Sequence, residues 1–151
     1  MAVDLVVLAP THVSETAAKT MSLLLQQISS HARRLSRADL MAIAEQPNVT
    51  VFMAKVGADI VGITALVDAI LPSRRTSYIE DVVVDEQHRS AGIGRQLVEA
   101  AIEYARRRGC VSVELTSNPQ RIAANELYRR LGFDKCDTNV YRLDLGRKVR
   151  E

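Results

Sequence analysis

The sequence predicts one α/β domain in which helices flank a single mixed β-sheet, and three observations carry that reading. The 151 residues are the ordinary size of one domain, and no repeat or low-complexity segment divides them. The apolar period changes from helical to strand-like near residue 49. An amphipathic helix over Ile93–Arg108 then stands between two strand-like runs. A strand–helix–strand unit implies a parallel pair, whereas neighbours joined by hairpins are antiparallel, so the sheet is mixed.

Taken in order, Val3–Leu8 is a short β-branched apolar run that reads as a strand, closed by Pro10-Thr11. Apolar residues then recur at Val13, Ala17, Met21, Leu24, Leu25 and Ile28, the spacing of a helix face. A polar break over Ser29–Arg34 leads to Ser36, which reads as the N-cap of a second helix that Pro47-Asn48 ends. Val49–Val56 and Ile60–Leu71 read as strands joined by a Gly57-Ala58-Asp59 turn, and Ser77–Val84 as a third. The helix over Ile93–Arg108 turns Leu97, Val98, Ala101, Ile102 and Ala105 to one face, and Gly109 stops it. Val111–Thr116 alternates as a strand, and Arg121–Leu131 is a helix ending at Gly132. Phe133–Lys135 and Val140–Leu145 read as a closing hairpin, which completes the order β-α-α-β-β-β-α-β-α-β-β.

Composition narrows the function classes. Apolar residues make up 47% of the chain, enough for a core without metal or disulfide staples. A net charge of +2 is too weak for a nucleic-acid partner, and the paired arginines read as solvated surface. Cys110 and Cys136 belong to no CxxC pair and to no Cys/His set with zinc spacing, so they read as buried free thiols and no metal is expected. No signal peptide is visible, and no apolar run approaches the roughly 18 residues of a membrane span. A cytoplasmic protein without a membrane partner is the expectation.

The informative stretch is Ile79–Leu97, in which a strand enters a short turn and the turn opens a helix. The turn reads Arg89-Ser90-Ala91-Gly92-Ile93-Gly94. Glycine lets a backbone approach a ligand closely, and the first turn of a helix offers N–H groups without intrahelical partners at its positive end. Together these suit a diphosphate. The dinucleotide fingerprint G-x-G-x-x-G fails, because its third glycine position is Leu97. The P-loop fails as well, since no Lys-Ser/Thr follows Gly94.

Arg89-x-x-Gly92-x-Gly94 resembles the Q/R-x-x-G-x-G/A acetyl-CoA signature of the GNAT superfamily of N-acetyltransferases. Val82-Val83-Val84-Asp85 before it resembles the family's fourth strand. Ala124 through Leu127-Tyr128 to Gly132-Phe133 resembles the family's second signature, A-x-x-L-Y-x-x-x-G-F. The resemblance covers nearly the whole chain. It implies a GNAT fold with a centrally splayed sheet, acetyl-CoA as co-substrate, and no metal. It further implies that the pantetheine arm bonds the backbone of Val82, Val83 and Val84 where the fourth and fifth strands part. The diphosphate then rests on the amides of Arg89, Ser90, Ala91, Gly92, Ile93, Gly94 and Arg95, with the Arg89 and Arg95 side chains adding charge. Asn125 is a candidate partner for the arm or nucleotide, and Asn118 with Ser117 is placed to hold water, substrate or coenzyme.

Acetyl transfer to an amine poses two proton problems. A lysine-like amine has a pKa near 10.4, so presenting its neutral form at pH 7 costs on the order of 4–5 kcal/mol, and a base lowers that burden. The resemblance places Tyr128 by the thioester sulfur, where its phenol donates to the departing thiolate. Glu80 is the favoured base, with Asp81 close behind and Glu114 third. Glu80 and Asp81 are adjacent on a strand and point to opposite faces unless a bulge intervenes. His12, His31 and His88 read as surface histidines.

The resemblance also assigns the acceptor pocket to the first two helices and their link, here Leu23–Leu40. The link is basic, with Arg33 and Arg34, which favours an acceptor bearing a carboxylate or phosphate beside its amine. A small-molecule amine is the leading acceptor, a protein or peptide amine the alternative. A non-catalytic CoA-binding regulatory module is the reading from another class. A homodimer is expected from the edge strand of the closing hairpin.

Overall fold

A computed structural model describes residues 2–146. Residues 1 and 147–151, which the one-domain expectation includes, lie outside the described residues. The chain divides into two compact units, the first ending at Asn118 and the second beginning at Pro119.

The first unit is a five-stranded sheet in the order β1-β2-β3-β4-β5, made of β1 (Asp4–Val7), β2 (Val49–Val56), β3 (Asp59–Ile70), β4 (Arg75–Val84) and β5 (Val113–Glu114). Neighbours from β1 to β4 run antiparallel, and β5 lies parallel to β4 across the crossover helix α3 (Ile93–Arg107). This is the mixed sheet that the hairpins and the strand–helix–strand unit require. Helices α1 (Glu15–Ile28) and α2 (Arg37–Ala44) separate β1 from β2. Ser14 caps α1 through a bond from the Ala17 amide at 3.0 Å, and a short 3-10 turn over Pro10–His12 precedes it. Ser36 caps α2 as expected, and with Asp39 it forms a reciprocal capping box.

One core joins Ala17, Ala18, Met21 and Leu24 of α1 and Leu40 of α2 to Met53, Ile63 and Val83 of the sheet. Helix α3 buries Ile93, Leu97, Val98, Ala101 and Ala105, the last four completely, matching the stripe read from the sequence except at half-buried Ile102. Gly62 on β3 lets that helix come close, because a Cβ there would stand 3.1 Å from Leu97 Cδ1 and 3.2 Å from the Val83 carbonyl oxygen.

In the second unit, α4 (Ile122–Arg130) is followed by residues 131–146 without regular structure. The closing hairpin expected over Phe133–Lys135 and Val140–Leu145 is therefore not formed among the described residues. Val140, Tyr141, Leu143 and Leu145 are all more than 70% exposed, so no burial compensates the ordering of a strand there. The homodimer expectation rested on that hairpin and loses its basis. Strand β5 is also shorter than the expected Val111–Thr116, and its ladder with β4, the pair expected to part, has only two rungs. The cysteines need a correction too: Cys110 is half-buried and Cys136 is exposed, so neither is a buried core thiol. Among the described residues, no helix is long and apolar enough to cross a membrane.

Candidate active site

β4 is paired with β5 at only two rungs, Ser77 with Val113 and Tyr78 with Glu114. β4 continues to Val84, so from Ile79 onward its β5 side has no ladder among the described residues. The two strands are zipped at the base and part above it. Glu114, the third candidate base, stands on the last rung and is exposed.

A bulge lies just past the parting. Glu80 pairs with Ala65 and Val83 with Ile63, so one β3 residue, Thr64, faces two of β4, Asp81 and Val82. Asp81 carries the strain at φ 55°, a left-handed conformation that acidic and amide residues tolerate better than most. The fully buried Thr64 donates its hydroxyl to the Glu80 carbonyl at 3.2 Å, satisfying an acceptor at the irregularity. Ala65 and Ile63 share a face, so the bulge sets Glu80 on the same face as Val83, whose side chain is in the α1 core. Val82 and Val84 are half-buried. Glu80 and Asp81 are each exposed as whole residues, yet partial burial of the carboxyl groups raises both above the usual carboxylate range. For Glu80, the neighbouring Asp81 charge adds to the rise.

Beyond β4, a 3-10 turn over Glu86–His88 leads into the loop. Ser90 at φ 66° and Gly92 at φ 78° are both left-handed, and Gly92 is the N-cap of α3. Gly92 has no side chain with which to cap, and the first helical bond runs from the Gln96 amide to the Gly92 carbonyl. The amides of Ile93, Gly94 and Arg95 thus begin the helix without a capping side chain, as an anion cradle requires. The side chains expected to add charge are engaged elsewhere. Arg89 Nε donates to the Val84 carbonyl at 3.1 Å and its terminal nitrogen to Gln27 Oε1 at 3.3 Å, while Arg95 Nε donates to Glu99 at 2.9 Å.

Gln27, in the last turn of α1, was not singled out in the sequence. Its Nε2 donates to Asp85 Oδ1 at 2.9 Å, and its Oε1 accepts from the Glu86 amide at 3.1 Å. Asp85 also holds the His88 ring at 2.9 Å. The bonds from Gln27 and then His88 keep the Asp85 carboxyl below its ordinary range. His12 likewise has a task, since its Nδ1 accepts the Ala9 amide at 2.9 Å. A glutamine at the end of an amphipathic helix carries no sequence signal for a bond 58 residues away.

Ser117, just past β5, has a buried hydroxyl without a hydrogen-bond partner among the described residues, beside exposed Asn118. In the second unit, Tyr128 is 6% exposed and meets Phe133 edge-to-face at 5.9 Å. Burial raises its phenol above the ordinary value against a smaller downward pull from Arg121, so it stays protonated and able to donate. Asn125 donates to the Pro119 carbonyl at 3.4 Å. The link between α1 and α2 is pinned to α1 by the Leu35 amide, which donates to Ser22 Oγ at 2.9 Å. Between them lies a recess of about 500 Å³ whose lining includes Lys19, Arg34 and Arg37 against Glu15.

Fold and loop together define a helix-flanked mixed sheet in which β4 runs into a turn with two left-handed residues and a helix start without a side-chain cap. The model of the acetyltransferase (GNAT) family matches residues 18–133, and the chain belongs to that family. Among relatives, a glucosamine 6-phosphate N-acetyltransferase of Trypanosoma brucei brucei is 39% identical over 72 residues, covering 48% of this chain and 46% of the relative. A streptothricin acetyltransferase of Streptomyces lavendulae is 36% identical over 104 residues, covering 66% of this chain and 53% of the relative. The matches thus take in about half the length of these relatives. The crystal structure of a Trypanosoma brucei acetyltransferase superposes with a TM-score of 0.76 at 28% identity, covering 95% of this chain and all of that one.

Proposed function

We propose that the protein is an acetyl-CoA-dependent N-acetyltransferase that moves the acetyl group to a primary amine by direct attack in a ternary complex. One observation carries the reading. A strand edge that no described residue pairs from Ile79 to Val84 leads straight into a turn with two left-handed residues and an uncapped helix start. An extended amide-bearing arm ending in a diphosphate is the ligand that such a sequence of backbone groups fits. We read the two units as one catalytic domain, because the family match runs through both.

Acetyl-CoA supplies a thioester whose carbon–sulfur bond breaks as the carbon–nitrogen bond forms. The free side of Val82–Val84 orients the arm through its main chain, and the amides of Ile93–Arg95 hold the diphosphate. Glu80, with Asp81 beside it, takes the proton that the attacking amine sheds, directly or through one water. Their raised carboxyl pKa values support that role. Tyr128 gives its proton to the leaving thiolate. Its motif position and its protonated phenol support the assignment.

A small-molecule amine is the proposed acceptor, and the two relatives above are named for small-molecule acceptors. The basic lining of the recess between α1 and its link supports a carboxylate or phosphate beside that amine. The deciding experiment is free-thiol release from acetyl-CoA across a panel of amines, each compared with a phosphorylated or carboxylated analogue. Thiol release dependent on an amine is expected, and the absence of release with every amine would leave only CoA binding. Tyr128→Phe is expected to lower kcat about 100-fold while leaving the affinity for acetyl-CoA unchanged. An unchanged kcat removes Tyr128 from the acid role.

A further inference from the structure

We propose that Gln27 is a positioning residue for the coenzyme, the brace that holds the turn at the end of β4 in the shape that receives a diphosphate. This inference rests on the reading of residues 89–95 as the coenzyme loop. Gln27 uses both ends of its amide on this one turn. Nε2 donates to Asp85 Oδ1 at 2.9 Å, and Oε1 accepts both the Glu86 amide at 3.1 Å and the Arg89 guanidinium at 3.3 Å. The bonds cross 58 to 62 residues of sequence, from the last turn of α1 to the exit of β4.

Arg89 completes the brace, because its Nε is bonded to the Val84 carbonyl, the last residue of β4. One guanidinium therefore spans from the strand end to Gln27, and the next residue, Ser90, takes the first of the two left-handed conformations. A chain held in such conformations by external bonds is preorganised, and ordering it at the moment of binding would cost affinity. Asp85 is fixed from three sides, since its backbone amide donates to the Val61 carbonyl at 2.8 Å and its second carboxylate oxygen meets His88. Every strut leads to the loop and none to Glu80 or Asp81. The geometry assigns Gln27 to coenzyme affinity and not to the chemical step.

The test replaces Gln27 with methionine, which keeps length and volume and removes all three bonds. Gln27 is exposed, so the fold should tolerate the change. Calorimetry measures two ligands, CoA and pantetheine, which lacks the diphosphate. The expected result is CoA binding weakened about tenfold, with pantetheine binding and kcat at saturating acetyl-CoA unchanged. In the double variant with Arg89→Met, the loss is expected to be smaller than the product of the two single losses, because both changes dismantle one brace. Unchanged CoA affinity overturns the proposal, as do parallel losses for CoA and pantetheine, which mark a merely structural role. Strict additivity with Arg89→Met also overturns it. If the wild-type chain binds no CoA, the coenzyme-loop reading fails and this one with it. Wild-type binding beside an unaltered Gln27→Met variant defeats this inference alone.

Discussion

The two ends of β4 are built on opposite plans. At the base, Thr76 and Ser77 are fully buried and saturated with bonds to the neighbouring strand segment. The Ser77 amide and hydroxyl both donate to the Ser112 carbonyl, at 3.2 and 2.9 Å, and the Val111 amide donates to the Arg75 carbonyl at 2.9 Å. Beside them Asp68, 3% exposed, takes Arg75 at 2.8 Å and Arg108 at 3.3 Å, tying β3, β4 and the end of α3 together. At the mouth, among the described residues, there is no ladder to β5, one residue is strained, and no opposite charge lowers the two partly buried carboxyls. The difference teaches how a sheet can be held open. A parting strand pair forgoes hydrogen bonds along its open length, so the base must hold the pair in register.

The carboxylates make the contrast measurable, because their pKa values move in opposite directions. Burial pushes Asp68 up, but the bonds and charges of Arg75 and Arg108 outweigh it and leave the carboxyl below its ordinary value. A depressed acid contributes stability above the unfolded pKa near 3.9, and that contribution is lost as pH falls through the lower folded value. Glu80 and Asp81 are raised, so their ionisation costs stability as pH rises from the unfolded value to the folded one. The largest expected effect follows at the base. Asp68→Ala leaves two guanidiniums without their carboxylate and should lower unfolding free energy by about 3 kcal/mol, the low end for a broken buried pair because both arginines keep some exposure. Urea denaturation checks it, and in Asp68→Asn the loss of stability on acidification below about pH 4 should shrink. A chain that keeps full stability without Asp68 would break the idea of a load-sharing base.

Next in size is the seam that carries α3 to the mouth. Gly62→Val would drive a branched side chain into Leu97, Ile93 and the Val83 carbonyl, and overpacking of that kind costs about 1–3 kcal/mol. Because Val83 lies near the end of β4 and Ile93 opens α3 within the proposed coenzyme loop, CoA affinity should fall along with the thermal midpoint. A stability loss with native affinity would show that the mouth does not depend on how closely α3 sits.

Smaller still is the cost at the helix start. Gly92 stands at φ 78°, where an L side chain costs about 1–2 kcal/mol. Nothing lies within 4 Å of a Cβ built there, so the penalty is conformational and not steric. Gly92→Val should therefore cost stability modestly while weakening CoA binding more, by crowding the space a diphosphate would use. Calorimetry returning native affinity would separate this turn from the coenzyme.

Much of this was legible in the sequence, and the boundary is physical. Periodicity disclosed α3, with four of its five stripe positions buried, because one helix face against one sheet imposes a local pattern. The glycine turn that opens α3 was legible because a left-handed N-cap, here Gly92, restricts residue choice. The bulge was not, since Glu80-Asp81 spells the same dipeptide whether Asp81 is extended or left-handed. The length of β5 was not either. Val111–Thr116 alternates throughout, but alternation reports a strand's faces and not whether its partner has turned away. The bonds of Gln27 and the Arg108–Asp68 bond join residues distant in sequence, and no local pattern encodes them.

The smallest effect is also the sharpest test of the mouth. Asp81→Asn keeps the shape and suits φ 55° at least as well, while removing a carboxyl whose ionisation burial disfavours. Stability at pH 7 should change by less than about 0.5 kcal/mol, and in the stabilising direction. The informative readout is the pH profile. With the raised carboxyls acting as base, kcat/KM rises with pH through their ionisation. Removing the Asp81 charge relieves its repulsion of Glu80, so the acid limb should move to lower pH in Asp81→Asn. In Glu80→Gln the rate should drop across the whole range instead. A limb that stays in place in Asp81→Asn would mean that the two carboxyls do not share the mouth, and the asymmetry along β4 would then be one of shape and not of charge.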